Sequence, residues 1–294
     1  MKYTNITDIS ILSSLGRAKE EYLTLLNTGI FENPNLWNKY KPTGDIPGLA
    51  DGINSRMKYS MSKLSLGVYN VLESGPYKSI TQNDEIYEFS GFTEIETVGK
   101  IGKLIMIENY GINPALFPNS VQHTALCYFS ILKKISNYTA AINDGPSTNA
   151  SFINFIQNRV QIPGAFIIVA GEESSDYFSY DADKTLDIVP AFIAFKCASS
   201  DKKGFAYLGA FAKLSDIYKL NQYKKAEYIF LDKESFFSIE RSSTKRYFTE
   251  YALTRDNPTG IIARLALPFY FEFDGPSLVI ENIRGAYYIF SVNL

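Results

Sequence analysis

His123 and Cys127 stand four residues apart in a stretch patterned as a helix, so one face would bring an imidazole beside a thiol, the spacing of a nucleophile and its base. A chance pairing within a packed helix is the simpler account, because no third residue is evident to orient the ring. Ser147 follows the turn Asn143-Asp-Gly-Pro146 and reads either as a hydroxyl nucleophile at a helix start or as an ordinary N-cap. Glu172 and Glu173 close an apolar run, where they form a carboxylate pair or simply end a strand. Cys127 and Cys197 have neither disulfide nor metal-ligand spacing. Gly91, Gly99 and Gly102 do not follow a strand in phosphate-loop spacing, so no nucleotide site, metal or other cofactor is implied. The doublets at Lys202-Lys203 and Lys224-Lys225 are too short for a nucleic-acid stripe and read as solvated turns.

The elements that must position these side chains belong to a chain of 294 residues, long enough for one large α/β unit or two fused halves. A hydrophobic fraction of 46% argues for a globular core, and a formal charge of -2 gives no field for nucleic acid or an anionic membrane. Twenty-one Tyr and twenty-one Phe suit a core and a subunit interface equally well. No apolar run approaches the ~18 residues of a membrane helix, and the cysteine usage fits a reducing cytoplasm.

Along the chain, the alternation Ile6, Ile9, Ile11 predicts a strand, followed by a turn at Gly16 and a helix from Arg17 to Asn27. A second helix runs from an Asn54 or Ser55 cap to Gly75-Pro76. Glu85 to Ser90 reads as a strand, and Gly91 to Tyr110 as a helix interrupted by glycines. A helix from Asn119 to about Lys133 precedes a strand from Tyr138 to Ile142 and a helix near Ser151 to Asn158. The apolar run Phe166 to Ala170 predicts a strand covered on both faces. Ile188 to Lys196 and Gly204 to Leu214 look like an antiparallel pair. Tyr228 to Leu231 is a strand, Gly260 to Leu267 a helix, and a final hairpin turns near Arg284-Gly285. No linker or repeat divides the chain.

Six segments, in order, resemble those of β-ketoacyl synthases. The start Ile6-Thr-Asp-Ile-Ser-Ile-Leu-Ser-Ser-Leu-Gly16 and the end Asn282-Ile-Arg-Gly-Ala-Tyr-Tyr-Ile-Phe-Ser-Val-Asn-Leu294 resemble the family's opening and closing stretches. Asn54 to Gly75 is similar to its segment of basic residue, Met and aromatic before a helix ending in Ser-Gly. Phe117 to Ile131 resembles its M-P-N-x-x-A-G helix, especially in the shortened synthase-like proteins of aryl polyene pathways. Ile168-Val-Ala-Gly-Glu-Glu173 is similar to a V-A-G-G-x-E strand end, and Ser242-Ser-Thr-Lys-Arg-Tyr-Phe-Thr-Glu250 to S-S-T-K-x-x-x-G-H. The resemblance implies a thiolase-like, layered αβαβα fold of the α/β class with a shortened C-terminal half. It also implies one unit over 1–294, with halves of about 1–215 and 216–294.

The family's reaction uses a cysteine at a helix N-terminus as acyl acceptor and two histidines that donate hydrogen bonds to the developing enolate. By the resemblance, the cysteine position falls within Asp144, Gly145 and Pro146, the first histidine at Asp232 and the second at Glu250, while Lys245 is retained. An ionised carboxylate about 4 Å from an enolate repels it by ~4 kcal/mol at an effective dielectric of ~20, roughly a thousandfold in rate. The expectation is therefore a non-catalytic subunit resembling chain length factors. Its partner would be an active ketosynthase in fatty acid, aryl polyene or polyketide biosynthesis, with an acyl carrier protein docking on the pair. Family dimers join through the strand before the nucleophile turn, here Tyr138, Thr139, Ala140, Ala141, Ile142 and Asn143. The alternative is an acyl-thioester hydrolase or transferase using Cys127 with His123, or using Ser147.

Overall fold

The apolar run at 166–172 forms a strand, β4 (Phe166–Glu172), in which every residue is buried, as its unbroken hydrophobicity predicts for a strand covered on both faces. The computed structural model describes residues 3–13, 46–107, 111, 113–173, 191–201, 203–248 and 259–294. The other strands are β1 (Tyr3–Ser13), β2 (Glu85–Phe89), β3 (Thr139–Ile142), β5 (Ala191–Ser200), β6 (Gly204–Phe211), β7 (Tyr228–Leu231), β8 (Arg246–Phe248), β9 (Ser277–Ile283) and β10 (Ala286–Asn293).

Their order across the sheet is β3-β2-β4-β5-β1-β6-β10-β9-β7-β8. Counted inward from either edge, each set of five runs third, second, fourth, fifth, first. The senses repeat too. β2 pairs parallel with β3 and β4, as β7 does with β8 and β9. The fifth strand is antiparallel to the fourth and first in both sets. Between the sets the register gives one residue pair, Thr4 with Phe205. The structure is thus the same five-stranded unit built twice, the second within residues 204–294 and in less than half the length of the first.

Alternating side chains on these strands separate three hydrophobic layers. One face of the first set, through Leu12, Ile86, Ile167 and Val169, packs under the outer helices α1 (Lys63–Ser74) and α3 (Thr124–Lys133). The opposite face, through Phe89, Phe166, Ile168 and Phe195, meets Phe230, Val279 and Phe290 of the second set across the central helices α4 (Thr148–Arg159) and α6 (Gly260–Tyr270). Residues 260–269 of α6 are all buried, the pattern of a helix enclosed on every side. The far face of the second set, with Ile229, Leu231, Leu278 and Ile280, is covered by short turns at 214–217 and 221–225 and by α5 (Lys233–Ser238). The result is α-β-α-β-α layering, as the sequence predicts. Its outer C-terminal layer is reduced because only residues 212–227 connect β6 to β7.

Several elements differ from their sequence patterns. The stretches around 191–200 and 204–211 do not pair with each other, because β1 lies between them and is antiparallel to both. A local turn signal cannot reveal a strand inserted from the other end of the chain. The helix expected from Asn54 is broken. Asn54 caps a single turn at Met57 N, and Ser62 starts α1 anew by accepting from Ser65 N at 2.9 Å. The helix α2 (Ile95–Met106) begins four residues after Gly91, since Thr93 adopts a left-handed φ of 54°. α3 begins at Thr124 rather than Asn119, behind a 3-10 segment at Pro114–Ser120. The helix expected at 17–27 lies outside the described residues. Among the described residues no helix is long and apolar enough to cross a membrane.

Two glycines allow the first sheet to pack against α1. A Cβ on Gly67 would lie 2.4 Å from the Phe192 ring and one on Gly171 2.2 Å from it, so the ring fits between helix and strand only where both side chains are absent.

Candidate functional site

The turn between β3 and the central helix α4 stands at the C-terminal ends of the parallel strands β2 and β3, where ligands collect in open α/β sheets. It is fixed from within. Gly145, with φ of 52°, donates its N–H to Gly91 O at 3.0 Å. Thr148 Oγ1 donates to Gly145 O at 2.9 Å and accepts from Asp144 N at 3.2 Å. Ser151 Oγ donates to the Asp144 carboxylate at 2.6 Å. Ser147 stands at the N-cap position of α4 but makes no cap bond, because Thr148 serves the turn instead. Its hydroxyl accepts from Arg284 Nη2, 3.3 Å away on the β9–β10 turn. No thiol occupies Asp144, Gly145 or Pro146.

Asp232 follows β7 and is the N-cap of α5. Its carboxylate accepts from Ser235 N at 2.9 Å, Ser235 Oγ at 2.5 Å and Asn282 N at 2.7 Å. A group already taking three donors has no hydrogen to offer an enolate. Between Asp232 and the turn lies a polar chain in the central layer. Arg264 of α6 ion-pairs with Glu281 of β9, and Asn149 Nδ2 of α4 donates to the other Glu281 oxygen at 2.8 Å. Asn149 Oδ1 accepts from Ile261 N at 3.3 Å. Burial lowers the Arg264 guanidinium to about 10, partly offset by the Asp232 charge. Asp144 to Ser147 and Asp232 are thus held around one junction through Arg284, Asn282, Glu281 and Asn149.

Lys245 is not there. Its ammonium donates to Lys224 O at 3.2 Å and Ala226 O at 2.6 Å, at the opposite end of the strands from Asp232. Arg246 pairs with Tyr228, which begins β7, whereas Asp232 follows its end. Lys245 thus lies apart from the junction around Asp232. Glu250 lies outside the described residues.

His123 stands just before α3 with a left-handed φ of 77°, not on the predicted helical face, yet its Nδ1 is 3.8 Å from Cys127 Sγ. His123 Nε2 is buried without a hydrogen-bond partner, and burial lowers the ring's proton affinity. The cationic form that would hold a thiolate is therefore disfavoured. Glu172 and Glu173 are both buried and bind backbone amides of the first half. This is the structural use foreseen beside the catalytic one.

β3 is an edge strand. It pairs with β2 alone among the described residues, and Tyr138, just before it, is 62% exposed. Beside it lies a cleft of about 390 Å³ lined by Gly91, Thr93, Val98, Gln122, Asn143 and Gly145. Exposed apolar side chains occur on the neighbouring elements, among them Ile105, Met106, Phe117, Val121 and Ile131. The buried pair Arg264 and Glu281 escaped sequence reasoning. An arginine inside the apolar stretch 260–269 was the available signal.

The duplicated five-stranded unit with two helices between the sheets defines a thiolase-like fold of the ketosynthase type. Solved structures share it over nearly the whole chain. The complex of the ketosynthase ApeO with its chain length factor ApeC from Xenorhabdus doucetiae matches with a TM-score of 0.61 and 12% identity, over 98% of this chain and 99% of that one. The ishigamide ketosynthase/chain length factor matches with a TM-score of 0.65 and 10% identity, over 99% of each chain. A β-ketoacyl synthase from Burkholderia phymatum matches with a TM-score of 0.61 and 11% identity, over 100% of each. No family model matches the sequence, and no curated protein does.

Proposed function

We propose that this chain is a non-catalytic ketosynthase-like subunit, acting as one unit and pairing with an active ketosynthase in the manner of a chain length factor. Asp232 carries the reading: at the position matched to the first catalytic histidine stands a carboxylate used to cap a helix and tie a hairpin. The absence of a thiol at 144–146 and the contact of Arg284 with Ser147 agree with it. The open edge of β3 and the apolar side chains beside it supply a surface for a partner of like fold, related by an approximate twofold axis. In such a pair the cleft beside Gly145 would wall the partner's acyl site, with fatty acid, aryl polyene or polyketide chains as cargo and an acyl carrier protein delivering them. The cytoplasm is the fitting compartment for a chain with an exposed free thiol at Cys127.

Co-expression with any ketosynthase encoded near it, followed by size-exclusion chromatography, tests the reading. A stable one-to-one complex supports it. A chain that elutes alone at micromolar concentration with every neighbouring ketosynthase overturns it.

The 3.8 Å approach of Cys127 to His123 favours a second reading, acyl transfer through the thiol. Incubation with acyl-carrier thioesters and intact-mass measurement separates the two. A stable adduct lost in Cys127→Ala selects the second.

A further inference from the structure

Four carboxylates behind the wall of the β3-side cleft come from three stretches of chain. They are Glu88 of β2, Glu94 before α2, and Glu172 and Glu173 at the end of β4, exposed by 2%, 2%, 0% and 1%. So little exposure keeps bulk solvent from screening one from another. Glu172 accepts from Gly91 N, from Phe92 N at 3.2 Å and from Ser90 Oγ at 3.2 Å, holding the connection that lines the cleft. Glu173 spans two helix starts, accepting from Leu64 N of α1 and Glu96 N of α2, both at 2.9 Å. Glu94 accepts from Ser65 Oγ at 3.1 Å. Glu88 faces the Leu126 N–H of α3. One oxygen of Glu88 and one of Glu94 are buried with no partner.

The charges of the described residues around it do not neutralise this group. From α1 the exposed Lys63 favours the Glu173 anion. From α2 Glu96 opposes it and is itself paired with Lys100 at 3.2 Å. From α3 the Tyr128 phenol faces Glu94. Among the described residues one lysine at the surface stands against four buried acids, and bound protons supply the rest of the neutralisation.

We infer that the four acids form a proton-held brace, in which bound protons relieve the mutual repulsion of the carboxylates and let β4 fasten the 90–94 connection and the first turns of α1 and α2, and that losing them loosens the wall of the cleft. Burial raises Glu94 and Glu172 to about 8, and Glu88 and Glu173 to about 7, with the mutual Glu94 and Glu173 charges adding to the rise at Glu94. The amide donors oppose this. The folded chain thus keeps protons that the unfolded chain has already released, so the brace is intact at lower pH and weakens as pH rises through that range. This inference does not rest on the pairing reading above.

Hydrogen–deuterium exchange on the full chain, corrected for the intrinsic rate, tests it. Between about pH 6 and about pH 9, protection at Leu64, Gly91, Phe92 and Glu96 is expected to fall about tenfold or more, while Ile229 and Phe230 of β7 keep theirs. Glu94→Gln, a mimic of the protonated acid, should flatten the profile, and Glu88→Gln is the second variant if the first folds poorly. Equal loss at β7, unchanged protection at the four amides, or an unaltered profile in the glutamine variant would each overturn the brace.

Discussion

Arg264 of α6 and Glu281 of β9 are ion-paired at the meeting of the two five-stranded sets, with only 3% and 4% of their side chains exposed. Asn149 of α4 takes up the other Glu281 oxygen, so one carboxylate joins both central helices to the second sheet. The same residues lie between the Asp144–Ser147 turn and Asp232. Polar side chains that hold each other thus lie within an otherwise apolar central layer.

Removing one partner of this pair leaves an uncompensated buried charge. Glu281→Leu is expected to cost about 3–5 kcal/mol in guanidinium unfolding, whereas Arg264→Met combined with Glu281→Leu recovers most of it. A double variant as unstable as the single one would show that the pair is not the cause.

The β3 edge has an outward face that a partner would use. Tyr138 O and Ile142 O accept from Ile86 N and Ser90 N of β2, so the alternate residues 139 and 141 turn their amides away from the sheet. Ala141→Pro removes one outward N–H and no bond to β2. It should abolish complex formation with the ketosynthase in size-exclusion runs while shifting the melting temperature by only a few degrees. An intact complex would place the interface elsewhere.

The two thiols differ in access. Cys127 is exposed, whereas Cys197 is fully buried, which raises its proton affinity. Iodoacetamide should add one carbamidomethyl group to the native chain, mapped to Cys127, and a second only after denaturation. Early labelling of Cys197 would mean that β5 opens locally.

Restoring one histidine should not restore condensation. Asp232→His loses the cap and the tie to Asn282, costing about 1 kcal/mol, and malonyl-thioester decarboxylation should stay at background because a single imidazole supplies one of the two enolate donors, while condensation also lacks the acyl-accepting thiol at 144–146. Measurable decarboxylation by the purified variant would contradict the non-catalytic reading.

The raised acids also predict the pH course of overall stability. Glu88 and Glu94 bind protons more tightly folded than unfolded, so the melting temperature should decline as pH climbs from about 5 to about 9. Glu88→Gln should lessen the decline. A melting temperature that rises over this range would reverse the sign argued from burial.

Local chemistry made much of the fold legible in the sequence. The unbroken apolar run at 166–170, ended by Gly171, reads as a strand covered on both sides, and it is one. β7 falls at residues 228–231, as its pattern predicts. The final hairpin turns at Arg284 and Gly285, both with positive φ (53° and 84°), the geometry a two-residue loop demands. That residues 144–146 hold no cysteine and that His123 is the single histidine of the chain were also plain in the sequence. Tertiary structure decided the rest. It placed β1 between β5 and β6, seated Lys245 at the opposite end of the strands from Asp232, joined Arg264 to Glu281, and gathered four glutamates from separate segments. Each of these depends on which distant strands become neighbours. Periodicity and capping act over one turn or one strand, whereas burial and charge pairing act across the layers that only the folded sheet brings together.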